Sequence, residues 1–230
     1  VVATFEDFDV AQKFLDLLND MKPKELNIYD IKITKIAEES GKRLSEITRK
    51  MDSGYVVFAK FDNHNNSKLR KIKSIKKVLP KSSQLIIESP KTEAKINEFE
   101  NSLVIFLNST RSGERVPLVT DFYLPSSSLN RFMEDLKMLE ESLKLDLSLY
   151  GSYSASNYHL RPKFKVDDKD FSKNAVAFLR AGTYIIEHEG GSITGGSAEG
   201  RIKAIVTNEE MKNREKGLYT AVKRIFDHHE

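Results

Sequence analysis

Gly54-Tyr55-Val56-Val57-Phe58-Ala59-Lys60-Phe61 sets four aromatic or β-branched residues in succession between a glycine and the turn cluster Asp62-Asn63-His64-Asn65-Asn66. It is the clearest strand in the sequence. Upstream, Leu26, Ile28 and Ile31 alternate as another strand, and Val1 to Phe5 is β-rich. Between these two, Asp9 to Leu18 places Val10, Phe14, Leu17 and Leu18 on one helical face. Asp7 or Asp9 is its cap, and Pro23 stops it. Ile36 to Met51 reads as a more polar helix. Downstream, Ser67 caps a helix with Leu69, Ile72, Ile75, Val78 and Leu79 on its face, ended by Pro80, and Gln84 to Glu88 is a short strand. The order β-α-β-α-β-α-β with short strands predicts an α+β fold: one largely antiparallel sheet with helices packed on one face.

The second half repeats that grammar. Pro90 to Asn101 is helical, and Leu103 to Leu107 fits either an extension or a strand. After a loop over Ser109 to Arg115, Val116 to Leu124 is a strand ended by Pro125. Ser126, Ser127 or Ser128 caps a helix that turns Leu129, Phe132, Met133, Leu136, Leu139 and Leu143 inward. Leu145, Leu147 and Leu149 alternate as a strand, Gly151 to Asn157 turns, and Tyr158 to Phe164 returns. Phe171 to Ile186 is a long apolar helix. Asn208 is read as the cap of a last helix whose apolar face is Met211, Leu218, Val222, Ile225 and Phe226. The repeat predicts duplicated ferredoxin-like units, and with no low-complexity linker the chain is one domain over residues 1–230.

Composition excludes several function classes. There is no cysteine, which removes disulfides, thiolate metal sites and a cysteine nucleophile, and which fits a cytoplasmic setting. A net charge of +3 is too mild to imply nucleic acid. Lys68, Arg70, Lys71, Lys73, Lys76, Lys77 and Lys81 read as the solvent face of an amphipathic helix, so no nucleic-acid partner is expected. No apolar run approaches the roughly 20 residues of a membrane span. A start on a strand, with neither initiator Met nor signal peptide, reads as a piece of something longer.

The stretch Gly190-Gly191-Ser192-Ile193-Thr194-Gly195-Gly196-Ser197-Ala198-Glu199-Gly200-Arg201-Ile202-Lys203 is neither helix nor strand by pattern. Glycine is used where φ turns positive or the backbone passes close to something. Two readings stand: a flexible surface loop, or backbone laid against a ligand with two cations at its exit. It carries neither a dinucleotide fingerprint nor a P-loop pattern.

Three stretches together resemble one family, the C-terminal domain of FAD-linked oxidases, the group of D-lactate dehydrogenase, glycolate oxidase and D-2-hydroxyglutarate dehydrogenase. Val116-Pro117-Leu118-Val119-Thr120-Asp121-Phe122-Tyr123-Leu124-Pro125 is similar to the family's Glu-Asp-x-x-x-Pro strand. Leu149 to Pro162 resembles its Gly-His-x-Gly-Asp-Gly-Asn-x-His hairpin. The glycine stretch resembles Gly-Gly-Ser-Ile-Ser-Gly-Glu-His-Gly-Ile-Gly-Arg-x-Lys, and Val222 to Asp227 looks like the closing Ile-Lys-x-x-Phe-Asp. The resemblance implies an FAD-dependent oxidoreductase, with FAD bound mainly by the protein's own N-terminal FAD-binding domain upstream. This domain would cover the flavin ring and build the pocket for a small anionic organic substrate.

The departures from that pattern bear on chemistry. Metal-dependent members draw ligands and a base from hairpin histidines and a loop Glu-His pair. Here Ser152 replaces the first hairpin histidine, Ser154-Ala155-Ser156 the Gly-Asp-Gly, and Gly196-Ser197 the Glu-His. One histidine and one amide do not converge into a metal site, so no metal is expected. Glu187, His188 and Glu189 just before the loop are the conceivable relocated ligands, against a solvated helix end. His159 is the remaining acid/base candidate, against a structural strand histidine. Asn157 would orient substrate or hold the turn. Gly195 and Gly200 shape the loop; Arg201 and Lys203 would hold an anionic group of substrate or cofactor, or stand as solvated charge. Tyr150, Tyr153 and Tyr158 bring aromatic surface to the hairpin, to line a pocket or to pack a core. Arg111 is a further candidate for a substrate carboxylate. His64, His228 and His229 carry no ligand pattern. Two functions follow: the substrate or cap domain of an FAD-dependent oxidoreductase with an altered, metal-free site, inactive as an isolated piece; or a catalytically inactive binding or assembly module derived from a flavoprotein.

Overall fold

The computed structural model describes residues 1–39, 51–61, 73–77, 79, 85–86, 90–107, 116–165, 167–196 and 200–227. The readings for 40–50, 62–72, 108–115 (with Arg111), 197–199 and 228–230 (with His228 and His229) lie outside the described residues.

The elements in chain order are β1 (Val2–Phe5), α1 (Phe8–Asp20), β2 (Glu25–Asp30), α2 (Ile31–Glu39), β3 (Tyr55–Lys60), β4 (Leu85–Ile86), α3 (Pro90–Leu107), β5 (Val119–Tyr123), α4 (Leu129–Leu143), β6 (Leu149–Ser152), β7 (Asn157–Leu160), α5 (Phe171–His188), α6 (Gly200–Glu210) and α7 (Asn213–Phe226). A short helical stretch also covers 73–77. Among the described residues seven strands lie in one sheet of order β4-β1-β3-β2-β6-β7-β5, and every pairing of these is antiparallel. The fold is α+β, as the pattern predicted.

The strand order carries the duplication. β4-β1-β3-β2 is the ferredoxin-like arrangement of the first unit. Reading inward from the other edge, β5, β7 and β6 are strands one, three and two of a second unit. Its fourth strand, due beside β5 after α5, is reduced to a single antiparallel bridge, Tyr123 to Ser192. The two units join through β2 and β6, with Tyr29 opposite Tyr150.

β3 is buried on both sides because it is central. Val57 and Ala59 enter the larger core cluster, while Val56 and Phe58 enter a second one. The larger cluster lies under α1, α4 and α5, through Phe14, Leu15 and Leu18, then Phe132 and Leu136, then Phe178, Leu179 and Ile186. α1 is started by Asp7, whose carboxylate accepts the Val10 N–H at 3.1 Å. The second cluster lies on the opposite face, under α2 and α3, with Ile96, Phe99, Leu103 and Leu107 at helical spacing against Tyr29, Phe58 and Tyr150. Helices on one face alone is therefore too simple. The residues 103–107 extend α3 and bury its stripe on the face that α1, α4 and α5 leave open.

Two sequence readings near the end are corrected. A helix begins at Gly200, where the pattern suggested loop, and it contains Asn208. The last helix starts at Asn213, where the Lys212 N–H donates to the Glu215 carboxylate at 2.9 Å. Leu218, Val222, Ile225 and Phe226 do not turn inward: α7 has no buried residue.

Candidate functional site

The site begins with a bulge. β5 pairs with β7 through Val119–Leu160 and then Phe122–Tyr158, so Thr120 and Asp121 together oppose His159. Asp121 sits at φ +57°, a left-handed conformation that Asp and Asn tolerate better than other non-glycine residues. The bulge takes its backbone out of the ladder and frees both polar groups. The Asp121 N–H donates to His159 Nδ1 at 3.0 Å. The Asp121 carbonyl accepts from Lys203 Nζ at 3.1 Å.

The Asp121 carboxylate is turned onto two donors. Its Oδ1 accepts from Asn157 Nδ2 at 2.5 Å and from the Gly196 N–H at 3.0 Å. Lys203, almost fully buried, adds a second bond to the Ile193 carbonyl at 2.6 Å. The glycine loop is thus fastened to the bulge directly through Gly196 and through Lys203, which bridges Ile193 and Asp121, while Asn157 ties the bulge to the hairpin. Gly195 is the point of closest approach. A Cβ there would lie 2.6 Å from Asn157 Nδ2 and from the Asp121 carbonyl oxygen. No side chain fits, which is why glycine stands at that position.

His159 is held on its other side by stacking. Its ring lies on Tyr150 with centroids 4.6 Å apart, and Tyr150 stacks in turn on Tyr29 at 6.3 Å. The column crosses β7, β6 and β2, so the site and the joint between the units share one aromatic ladder. Burial lowers the His159 pKa from its ordinary value to about 4, with the Arg161 and Lys203 cations in the same direction and Asp121 opposing. The ring is neutral at pH 7. Because Nδ1 accepts the Asp121 N–H, the proton resides on Nε2, which is left as a donor.

Asn157, His159, Lys203 and Gly195 are therefore brought together around Asp121. Asp121 was quoted within a strand motif but given no role by sequence reasoning. The signal available was an acidic residue inside an otherwise apolar strand. Gly200 opens α6 at φ +62°, and Arg201 beside it is exposed. Tyr158 lies on the other face of the sheet, in the larger core against Phe122, as strand alternation requires. Tyr153 is also in that core and bonds to Gln12 and Asp16. Tyr150 faces the site.

Of the residues before the loop, Glu187 is exposed. His188 and Glu189 meet Asp135 of α4, with ligand atoms within 4.8 Å of one another. Arg131 already stands 3.3 Å from the Glu189 carboxylate and balances its charge. At the hairpin Asp121 Oδ1 is engaged by Asn157 and Gly196, and His159 Nδ1 by the Asp121 N–H.

No curated protein matches the sequence. Among solved structures, alkyldihydroxyacetonephosphate synthase in one crystal form superposes with a TM-score of 0.52 at 16% identity, covering 93% of this chain and 43% of that one. A second crystal form gives a TM-score of 0.50 at 15% identity, covering 93% and 42%. The chain thus spans less than half the length of these structures, and at such identity the likeness is one of fold. The family model for FAD linked oxidases, C-terminal domain, matches residues 1–229. The chain belongs to the family of C-terminal domains of FAD-linked oxidases.

Proposed function

We propose that this chain is the substrate-facing cap domain of an FAD-dependent oxidoreductase resembling the D-2-hydroxy-acid dehydrogenases, working in the cytoplasm with a site that uses no metal. The observation that carries the reading is the fastening of the glycine loop to the Asp121 bulge beside His159. A surface loop without a task does not need a buried lysine and a bulge to hold it.

FAD would be held mainly by an FAD-binding domain preceding this chain. Residues that would face its reactive part are the neutral donor at His159 Nε2 and the exposed Arg201, while the Asp121 carboxylate is occupied by Asn157 and Gly196. When bound, FAD would accept the hydride of substrate oxidation, and the hydroxyl proton would pass to solvent water, since His159 Nε2 is already protonated. His159 donates its Nε2 hydrogen bond to an oxygen of the substrate and fixes it. Asn157 holds Asp121, and through it the loop. Arg201, exposed at the start of α6, supplies charge for an anionic substrate group. The metal-free reading is supported by the donor set: Asp121 Oδ1 and His159 Nδ1 are already bonded to protein groups.

The second reading, an inactive binding or assembly module, is favoured by one observation: His159 is held in the tautomer that cannot accept a proton at Nε2. One experiment separates the two. The full-length protein is purified and its visible spectrum recorded, then D-2-hydroxy acids are added without oxygen. Bleaching of a flavin spectrum by one acid establishes the oxidoreductase. A flavin that no acid bleaches supports a different substrate class or the binding module, and the absence of flavin removes the oxidoreductase reading.

A further inference from the structure

Glu189 closes α5 and stands where the glycine loop begins. Its side chain is only 5% exposed, yet its Oε2 is buried without a hydrogen-bond partner. A buried carboxylate is costly unless a cation or donors compensate it. Arg131 of α4 lies 3.3 Å from that oxygen, close enough to attract it but not aligned to donate, and its own side chain is 73% exposed. The other oxygen, Oε1, faces His188 Nδ1 at 3.4 Å. Asp135, one turn after Arg131 on α4, completes a set of three ligand atoms that all lie within 4.8 Å of one another.

We propose that Asp135, His188 and Glu189 bind one divalent metal ion of the zinc class, which clips α4 to the root of the glycine loop. The site shares no residue with the one around Asp121 and does not depend on the cap-domain reading. Its donor set selects the metal. One imidazole and two carboxylates suit zinc and its first-row neighbours, whereas calcium asks for roughly six to eight oxygens. At bonds of about 2.1 Å, two ligands of a tetrahedral ion stand about 3.4 Å apart. His188 Nδ1 and Glu189 Oε1 already have that spacing. The ligands are also held in advance. The Glu189 N–H donates to the Ile185 carbonyl at 3.1 Å and the Gly191 N–H to the Ile186 carbonyl at 2.8 Å, which fixes the chain on both sides of the carboxylate. A Cβ on Gly191 would fall 2.4 Å from the Tyr123 carbonyl oxygen, so the loop root is seated against β5. The His188 ring stacks on Tyr184 one turn earlier, with centroids 6.0 Å apart. The last carbonyls of α5 add the negative end of its dipole, which favours a cation here. Arg131 stays on Oε2 and orients the carboxylate, as outer partners of metal ligands do. His188 is 63% exposed, so an ion enters from solvent and water takes the remaining position.

The test is calorimetric titration of zinc into the full-length protein after stripping with EDTA, with imidazole nitrogen spectra read on the same samples. The wild type is expected to bind one equivalent at its tightest site, and the His188 Nδ1 resonance moves on binding. Asp135→Asn and His188→Gln change side chains that are not buried, so the circular dichroism spectrum stays as it is. Each is expected to weaken that binding by about tenfold or more. Excess calcium leaves the zinc in place. A wild type that takes up no zinc overturns the proposal. So does zinc held equally well by both variants, which assigns it to His159 or to the tail of His228 and His229. Calcium that displaces zinc on even terms overturns it too, since the cluster is then only an acidic surface.

Discussion

A methyl group on residue 195 would press on the Asp121 backbone and the Asn157 amide at once, and backbone cannot step aside cheaply. Gly195→Ala is therefore expected to lower unfolding free energy by about 1–3 kcal/mol in guanidinium titration. Lys203→Met keeps the volume of a long side chain but removes a buried charged donor from two carbonyls. A loss of about 2–3 kcal/mol is expected, with faster amide exchange over 192–196. His159 carries the sign of a buried neutral imidazole. Its folded pKa lies near 4, below the unfolded value near 6.5, so the unfolded chain binds more protons between the two. Its contribution to stability is complete above about pH 6.5 and is lost as pH falls toward 4. Imidazole carbon shifts that titrate with a midpoint near 6.5 would refute this environment. Sequence alone singled out His159, Asn157, Gly195 and Lys203. It missed Asp121 as their common partner because a bulge is set by pairing register, and register is not written in either strand separately.

Among the elements, the long periodic ones were legible. Ala175, Phe178, Leu179 and Ile186 in α5, and Leu129, Phe132, Leu136 and Leu139 in α4, bury the stripes their spacing predicts. α6 was not, because Gly200 and a stripe reduced to Lys203 and Val206 inside give it little period to detect. α7 shows the opposite limit. Its spacing correctly marked an amphipathic helix, but periodicity says only that a face must be covered, not that this domain covers it. Limited proteolysis of the 230-residue chain is expected to cut within Asn213–Phe226 first and leave the sheet intact. Early cleavage in β6 or β7 instead would contradict the fastening described for the hairpin.

At the scale of the whole molecule, duplication did not give two independent domains. β2 and β6 are adjacent strands of one sheet. Tyr153 of the second unit donates to Asp16 of the first at 2.5 Å and accepts from Gln12 at 3.1 Å. Lys32 of the first unit reaches the Asp146 carboxylate at 2.5 Å and the Leu147 carbonyl at 2.8 Å. Denaturation of the described fold is therefore expected to be one transition by both circular dichroism and tyrosine fluorescence. Two separated midpoints would mean that the units melt apart. The single bridge of Tyr123 to Ser192 has a bearing of its own. A full fourth strand there would end the sheet in a flat rail of unpaired amides, open to any extended chain that came alongside. The glycine loop instead spends two bonds of 2.9 Å on Tyr123 and then turns away across the bulge. What it leaves behind is a blunted margin, one on which a stray strand finds no continuous template and fibre growth has no place to begin.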